Sequence, residues 1–191
     1  MSQGRLVMYV GTMFGGKSHA LLFHVDLHSW DKRIKAFIPA IDSRDDRDAI
    51  VTHSGRSYPA TRISDPVQIK DELADIRIGQ GEYPSILLID EAHMFGQSLV
   101  GVVLEQVSKG MEVVCGGLTV DYRGVPFDVV TTLMAFADVI KVYRATCKAC
   151  HEQASRYNAR LVEDERRIVP GGEGVYEPQC YRCFHRGEGD K

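Results

Sequence analysis

The chain has 191 residues, 44% hydrophobic and 26% charged, with 23 Lys and Arg against 26 Asp and Glu for a net charge of −3. That length suits one main fold with at most a small appendage, and the apolar content excludes a disordered chain. The acidic balance argues against wrapping a nucleic-acid backbone, so no nucleic-acid partner is expected. The longest aliphatic stretch, Ile86 to Ile89, falls far short of the ~20 apolar residues of a membrane-spanning helix, so no membrane partner is expected either.

Leu6 to Val10 reads as a buried strand ending at Gly11, and Lys17 to Trp30 as a helix with Leu21, Leu22 and Val25 at helical spacing. Arg33 to Ile38 is a second strand, stopped by Pro39, before an Asp- and Arg-rich loop from Asp42 to Asp48. Ala49 to Thr52 and Ser57 to Ile63 flank Ser54-Gly55 and predict a hairpin. Asp65-Pro66 opens a helix to about Ile78, because Asp caps helices and Pro is tolerated in the first turn; Gly79 to Pro84 breaks it. Ser85 to Asp90 and Glu112 to Gly116 have the apolar character of doubly covered parallel strands, with a helix between them from Gln97 to Lys109. A helix from Asp128 to Ala137 leads to a strand from Val139 to Tyr143. This alternation implies an α/β fold, a mostly parallel sheet flanked by helices, over residues 1–146. Helical periodicity fades after Cys147, so residues 147–191 read as a small metal-held domain, with Gly187 to Lys191 disordered.

Between the first strand and helix lies Gly11-Thr12-Met13-Phe14-Gly15-Gly16-Lys17-Ser18, a G-x-x-x-x-G-K-[ST] phosphate-binding loop in its proper context. Glycines let backbone N–H groups wrap phosphate oxygens, Lys17 brings positive charge, and Ser18 offers a ligand to Mg²⁺. Asp90 and Glu91 emerge at a strand's carboxyl end, the edge where open α/β sheets bind ligands. Asp90 fits the Mg²⁺ shell and Glu91 a general base whose pKa a neighbouring carboxylate raises. Cys147, Cys150, Cys180 and Cys183 form two CxxC knuckles, a tetrahedral thiolate set suited to structural Zn²⁺. The 29 residues from His151 to Gln179 exceed the linker of a compact ribbon, which points to a loop with a function of its own. His24 and His28 lie four apart on the first helix, but with no acidic third ligand evident they read as a solvated face. Cys115 reads as a buried strand residue, and Gly117 to Phe127 with Tyr176 as either pocket or ordinary core.

Taken in order, these motifs resemble the type II thymidine kinase family, zinc-containing cytoplasmic kinases with a P-loop, RecA-like core. The resemblance rests on Gly11 to Ser18, Pro39 to Arg44, Ile89 to Phe95, Gly117 to Phe127 and both cysteine pairs, and covers nearly the whole chain. It implies transfer of the γ-phosphate of ATP to the 5′-hydroxyl of thymidine or deoxyuridine, in pyrimidine salvage, with Glu91, Lys17 and Arg44 as catalytic residues. It implies cofactor contacts from the Gly11 to Ser18 loop, Asp42, Asp90 and His93, with ATP, Mg²⁺ and structural Zn²⁺ bound. Met13, Met94, Phe95, Leu118, Tyr122 and Phe127 fall on the substrate pocket, and Tyr176 on a lasso loop, tied by zinc, that closes over the nucleoside. A homotetramer, feedback inhibition by thymidine triphosphate and a cytoplasmic location are further expectations.

His93 and Met94 stand where the family usually has glutamine and phenylalanine, and Thr119 where many members have aspartate. The run Ser155-Arg156-Tyr157-Asn158-Ala159-Arg160 is one residue longer than the usual threonine-containing segment. A kinase for a modified pyrimidine deoxynucleoside is therefore one alternative. A zinc-ribbon ATPase acting on nucleic acid, and a non-catalytic nucleotide sensor, are the others.

Overall fold

Strands in this chain carry apolar residues on both faces, which only a sheet covered from both sides can bury. The computed structural model describes residues 4–28, 33–78 and 83–186. In chain order the elements are β1 (Arg5–Gly11), α1 (Lys17–His28), β2 (Ile34–Pro39), β3 (Ala49–Val51), β4 (Ser57–Pro59), β5 (Thr61–Ile63), α2 (Gln68–Ile78) and β6 (Ile86–Ile89). A 3-10 turn over Ala92–Met94 leads to α3 (Ser98–Ser108), β7 (Glu112–Leu118), α4 (Asp128–Phe136) and β8 (Val139–Tyr143). Beyond lie β9 (Tyr157–Arg160), β10 (Tyr176–Gln179) and α5 (Tyr181–Arg186).

Six strands form one sheet in the order β5-β2-β6-β7-β1-β8, and every pairing in it is parallel. Alternate residues face opposite layers, as the two-residue period of a strand requires. Leu6, Met8, Val10, Phe37, Leu87, Ile89 and Val113 pack in one core with Leu99 and Val102 of α3 and Val130 and Leu133 of α4. Val7, Tyr9, Ala36, Ile38, Leu88 and Val114 pack in the other with Leu21, Leu22 and Val25 of α1. None of the described helices is long and apolar enough to cross a membrane.

The expected hairpin forms only in part. β3 and β4 pair antiparallel, but the chain then leaves them at Ala60, and β5 joins the main sheet beside β2. Ala60 donates its N–H to Asp48 O at 2.9 Å, closing the small sheet at that residue. Asp65 caps α2 as expected: its Oδ1 accepts the Val67 N–H at 2.8 Å and Gln68 Oε1 accepts the Asp65 N–H at 3.0 Å, with Pro66 and Val67 forming a tight first turn before the regular helix begins at Gln68. The carboxyl-terminal segment also holds a short helix, α5, too brief to leave a periodic signal. The expected helix end at Ser29 and Trp30, most of the break from Gly79, and the Gly187 to Lys191 tail lie outside the described residues. His24 and His28 do not share a solvated face: His24 is buried, with Tyr9 Oη 3.1 Å from its Nδ1 and Glu112 beside it.

β7 lies between the strands that carry the loop and the acidic pair, so its side chains would intrude between them. Gly116 removes that obstacle: a Cβ there would stand 2.7 Å from Asp90 Oδ1 and 2.9 Å from Leu21 Cδ1. Gly116→Ala is therefore expected to cost about 1–3 kcal/mol, read by urea unfolding. A variant with wild-type stability would contradict this packing.

Candidate active site

The carboxyl ends of β1, β6 and β7 meet at one edge of the sheet, where a cavity of about 490 Å³ opens. Gly11 ends β1 with φ 143°, and a Cβ on it would fall 1.8 Å from Tyr143 O of β8. Glycine alone lets the chain leave the sheet there. Gly11, Thr12 and Gly15 build the loop from beneath, while Met13, Phe14, Gly16, Lys17 and Ser18 line the cavity. Lys17 is buried and donates to Thr12 O at 2.7 Å, which curls its ammonium back over the loop. Burial pushes the Lys17 pKa down against the pull of Glu91 and Asp90.

Across the cavity floor Ser18 Oγ donates to Asp90 Oδ2 at 3.0 Å, so the hydroxyl and carboxylate expected to share a cation are adjacent. Glu91 follows at φ 50°, a left-handed conformation costly outside glycine, which its surroundings enforce. Its carboxylate accepts a hydrogen bond from Arg44, whose Nε and Nη2 also grip Asp42 at 2.7 and 2.6 Å. Burial alone would raise the Glu91 pKa, but the charges of Arg44, His93 and Lys17 overcome it and hold the carboxylate below its ordinary range. The expectation of a raised Glu91 is thus reversed: burial and the Glu91 charge push Asp90 up instead, to about 6.

His93 and Met94 line the cavity from the 3-10 turn. His93 Nδ1 accepts the Leu118 N–H at 3.3 Å, and its ring lies 4.9 Å from that of Phe127. Burial lowers its pKa to about 4, so the ring is neutral near pH 7 and its 3.4 Å approach to Glu91 is no ion pair there. His93 therefore sits among the expected pocket residues, not along the glycine loop. Phe95 departs from expectation. The backbone leaves the turn extended at that residue, and its ring packs in the core with Leu99 and Val130 instead of lining the cavity. Leu118, Tyr122, Phe127 and Tyr176 complete the wall opposite the loop.

Several residues that sequence reasoning passed over organise this wall. Asn158 Oδ1 accepts the Met13 N–H at 2.7 Å, and Ser155 Oγ lies 2.6 Å from Thr12 Oγ1, joining the carboxyl-terminal segment to the glycine loop. Arg160 stacks 3.6 Å over Tyr122 and donates to Asp164 O, Arg166 O and Arg167 O and to Tyr176 Oη. Arg167 binds Asp121 Oδ2 at 2.9 Å and Pro126 O at 2.6 Å, and its guanidinium lies 4.8 Å over Phe127. The sequence signals them in two ways: by the lengthened run 155–160, which contains Ser155, Asn158 and Arg160, and by the long interval His151 to Gln179, which also contains Arg167. Cys147, Cys150, Cys180 and Cys183 converge with their sulfurs within 4.8 Å of one another and no disulfide between them. That donor set suits a tetrahedral thiolate-bound cation.

A thymidine kinase family model matches residues 4–184. The chain belongs to the thymidine kinase family. The thymidine kinase of Bacteroides thetaiotaomicron is 31% identical, covering 98% of this chain and 90% of its own. That of Bacteroides fragilis strain YCH46 is 31% identical over 96% and 88%, and that of Deinococcus deserti 32% over 96% and 95%. The family match thus spans both the sheet and the cysteine-bearing segment.

Asp90 and Glu91 respond to pH in opposite senses. Raised above its unfolded value, the Asp90 pKa costs stability progressively as pH climbs from about 4 to about 6, the range over which the unfolded carboxyl ionises and the buried one does not. Asp90→Asn is expected to stabilise the ligand-free protein by about 1–2 kcal/mol at pH 7.5, a rise of about 2–4 °C in Tm per kcal/mol. The gain should shrink as pH falls from about 6 to about 4 and vanish near pH 3. An equal gain at both values would show that Asp90 is not the titrating group.

Proposed function

We propose that this protein is an ATP-dependent nucleoside kinase that transfers the γ-phosphoryl group of ATP to the 5′-hydroxyl of thymidine. One observation carries the reading: a buried carboxylate, Glu91, stands in one cavity with the glycine loop and with an aromatic wall of Tyr122, Phe127 and Tyr176. In this reading the loop amides and Lys17 bind the triphosphate, and the wall receives the base. Ser18 and Asp90 are the residues suited to hold Mg²⁺, which would offset charge on the phosphate oxygens. Asp42 and His93 complete the polar lining.

Glu91 accepts the proton of the sugar hydroxyl as its oxygen attacks phosphorus and the bond to the departing diphosphate breaks. While Arg44 binds it, Glu91 is a weak base. A bound triphosphate competes for the guanidinium, and drawing Arg44 toward phosphate raises the basicity of Glu91 as substrate arrives. The segment that carries Arg167 to Gly172 covers the cavity and limits water, favouring transfer over hydrolysis.

The four cysteines suit structural Zn²⁺, which would tie the base of this covering segment, and residues 147–191 act as a closing unit on a core of residues 1–146. The proposal extends to a cytoplasmic homotetramer serving pyrimidine salvage, inhibited by thymidine triphosphate, as the family resemblance implies. Exposed Phe23, Phe136, Ile140 and Val142 supply apolar surface for such an assembly.

The direct test is incubation with ATP·Mg²⁺ and thymidine, deoxyuridine, deoxycytidine or 5-substituted deoxyuridines, with products separated by chromatography. Thymidine monophosphate is expected; ATP hydrolysis with no phosphorylated nucleoside would overturn the reading. Glu91→Gln should lower kcat by about 10²–10⁴-fold while ATP affinity and the far-UV spectrum persist. Undiminished turnover would remove Glu91 from its role. Chelating the cysteine-bound metal should open the chain between Cys150 and Cys180 to protease before the sheet unfolds. Unchanged cleavage after verified metal loss would refute the clamp.

A further inference from the structure

The opposite end of the sheet carries a polar cluster that phosphoryl transfer does not use. His24 and His28 project from the last turns of α1, and Glu112 opens β7; none of the three lines the cavity. One ligand atom from each lies within 4.8 Å of the others. The imidazoles, four residues apart, occupy the same helix face, with ring centroids 4.7 Å apart. His24 Nε2 is 3.3 Å from Glu112 Oε1, and both side chains are more than nine-tenths buried.

The groups behind these ligands are placed as well. Tyr9 Oη lies 3.1 Å from His24 Nδ1 and fixes the ring so that Nε2 points at the carboxylate. Buried Nε2 has no aligned hydrogen-bond partner there. In the tautomer that donates Nδ1–H to Tyr9, Nε2 turns a lone pair toward the carboxylate, the arrangement in which an imidazole and a carboxylate can share a cation. Arg5 holds Glu112 Oε1 at 2.8 Å and fixes the carboxylate at the start of β7.

We propose that His24 Nε2, His28 and Glu112 form a second metal site, for a transition-metal dication such as Zn²⁺, with water in the fourth position. Two imidazoles and one carboxylate are a donor set this ion takes, whereas Mg²⁺ and Ca²⁺ prefer oxygen alone. Ligand atoms around a tetrahedral ion at about 2.0–2.1 Å stand about 3.4 Å apart, so the cluster closes by up to about 1.4 Å at its widest. His28, half-buried at the end of α1, can supply that movement by rotation of its side chain. The ion would pin the end of α1 to the start of β7, whatever reaction the cavity performs.

The test uses the full-length protein with its cysteine site loaded with zinc and excess metal removed, titrated with Co²⁺. One further equivalent is expected, with visible d–d absorption but no thiolate charge-transfer band. Zn²⁺ should displace it and raise the melting temperature. His28→Ala, at a half-buried helix end, should weaken this equivalent at least tenfold, and Glu112→Gln likewise, with the cysteine-bound metal retained. Absence of a second equivalent, or one that both variants leave unchanged, would overturn the site and leave His24 and Glu112 an ion-pair network with Arg5.

Discussion

Two short hydrogen bonds join the glycine loop to a segment more than 140 residues later in the chain: Asn158 to the Met13 amide, and Ser155 against the Thr12 hydroxyl. A loop meant to present backbone N–H groups works only if its own conformation is fixed, because a mobile loop would lose that order's entropy on every binding event. Here the fixing groups are buried, so each bond forms away from competing water. The same contacts place β9 beside the cavity, and with it the residues that cover the aromatic wall. Loop geometry and cavity closure therefore depend on the same few atoms.

Charge in the cavity is arranged around one arginine. Two buried carboxylates in adjacent positions cannot both ionise cheaply, and Arg44 decides which does by binding Glu91 and only weakly favouring Asp90. Asp90 is left with hydrogen bonds from Ser18 and the Glu91 amide, which are not enough to offset its desolvation. The ligand-free site is thus short of positive charge at Asp90 and well supplied at Glu91. Arrival of a magnesium-bound polyanion would exchange those conditions, giving Asp90 a cation and drawing Arg44 away.

Much of this is legible in the amino-acid sequence where one signal is local. The glycine loop announces itself because phosphate binding needs small residues at set spacings, and the parallel strands do so because double burial leaves them almost wholly apolar. The four cysteines are legible for a similar reason, since metal geometry constrains spacing. The features that escape depend on contacts between distant segments. Glu91 reads as a carboxylate raised by its neighbour because Arg44 is 47 residues away in sequence, and His24 reads as solvated because Glu112 belongs to another element. Phe95 reads as a pocket residue because a 3-10 turn reorients the chain beyond it, and short turns carry no periodicity. Ser57 to Ile63 reads as one strand, yet its halves serve two sheets, a division set by pairing partners and not by propensity.

Arg160 holds the segment over the cavity by an unusual choice of partners. Three of its acceptors are main-chain carbonyls, those of Asp164, Arg166 and Arg167, and its plane rests on the Tyr122 ring. Carbonyls are the same whatever side chain a residue bears. The curve of this stretch is accordingly written in one guanidinium, and side chains at its exposed positions are released from the duty of shaping it. Surface residues such as Leu161, Val162 and Glu163 can drift during evolution while the cover keeps its form.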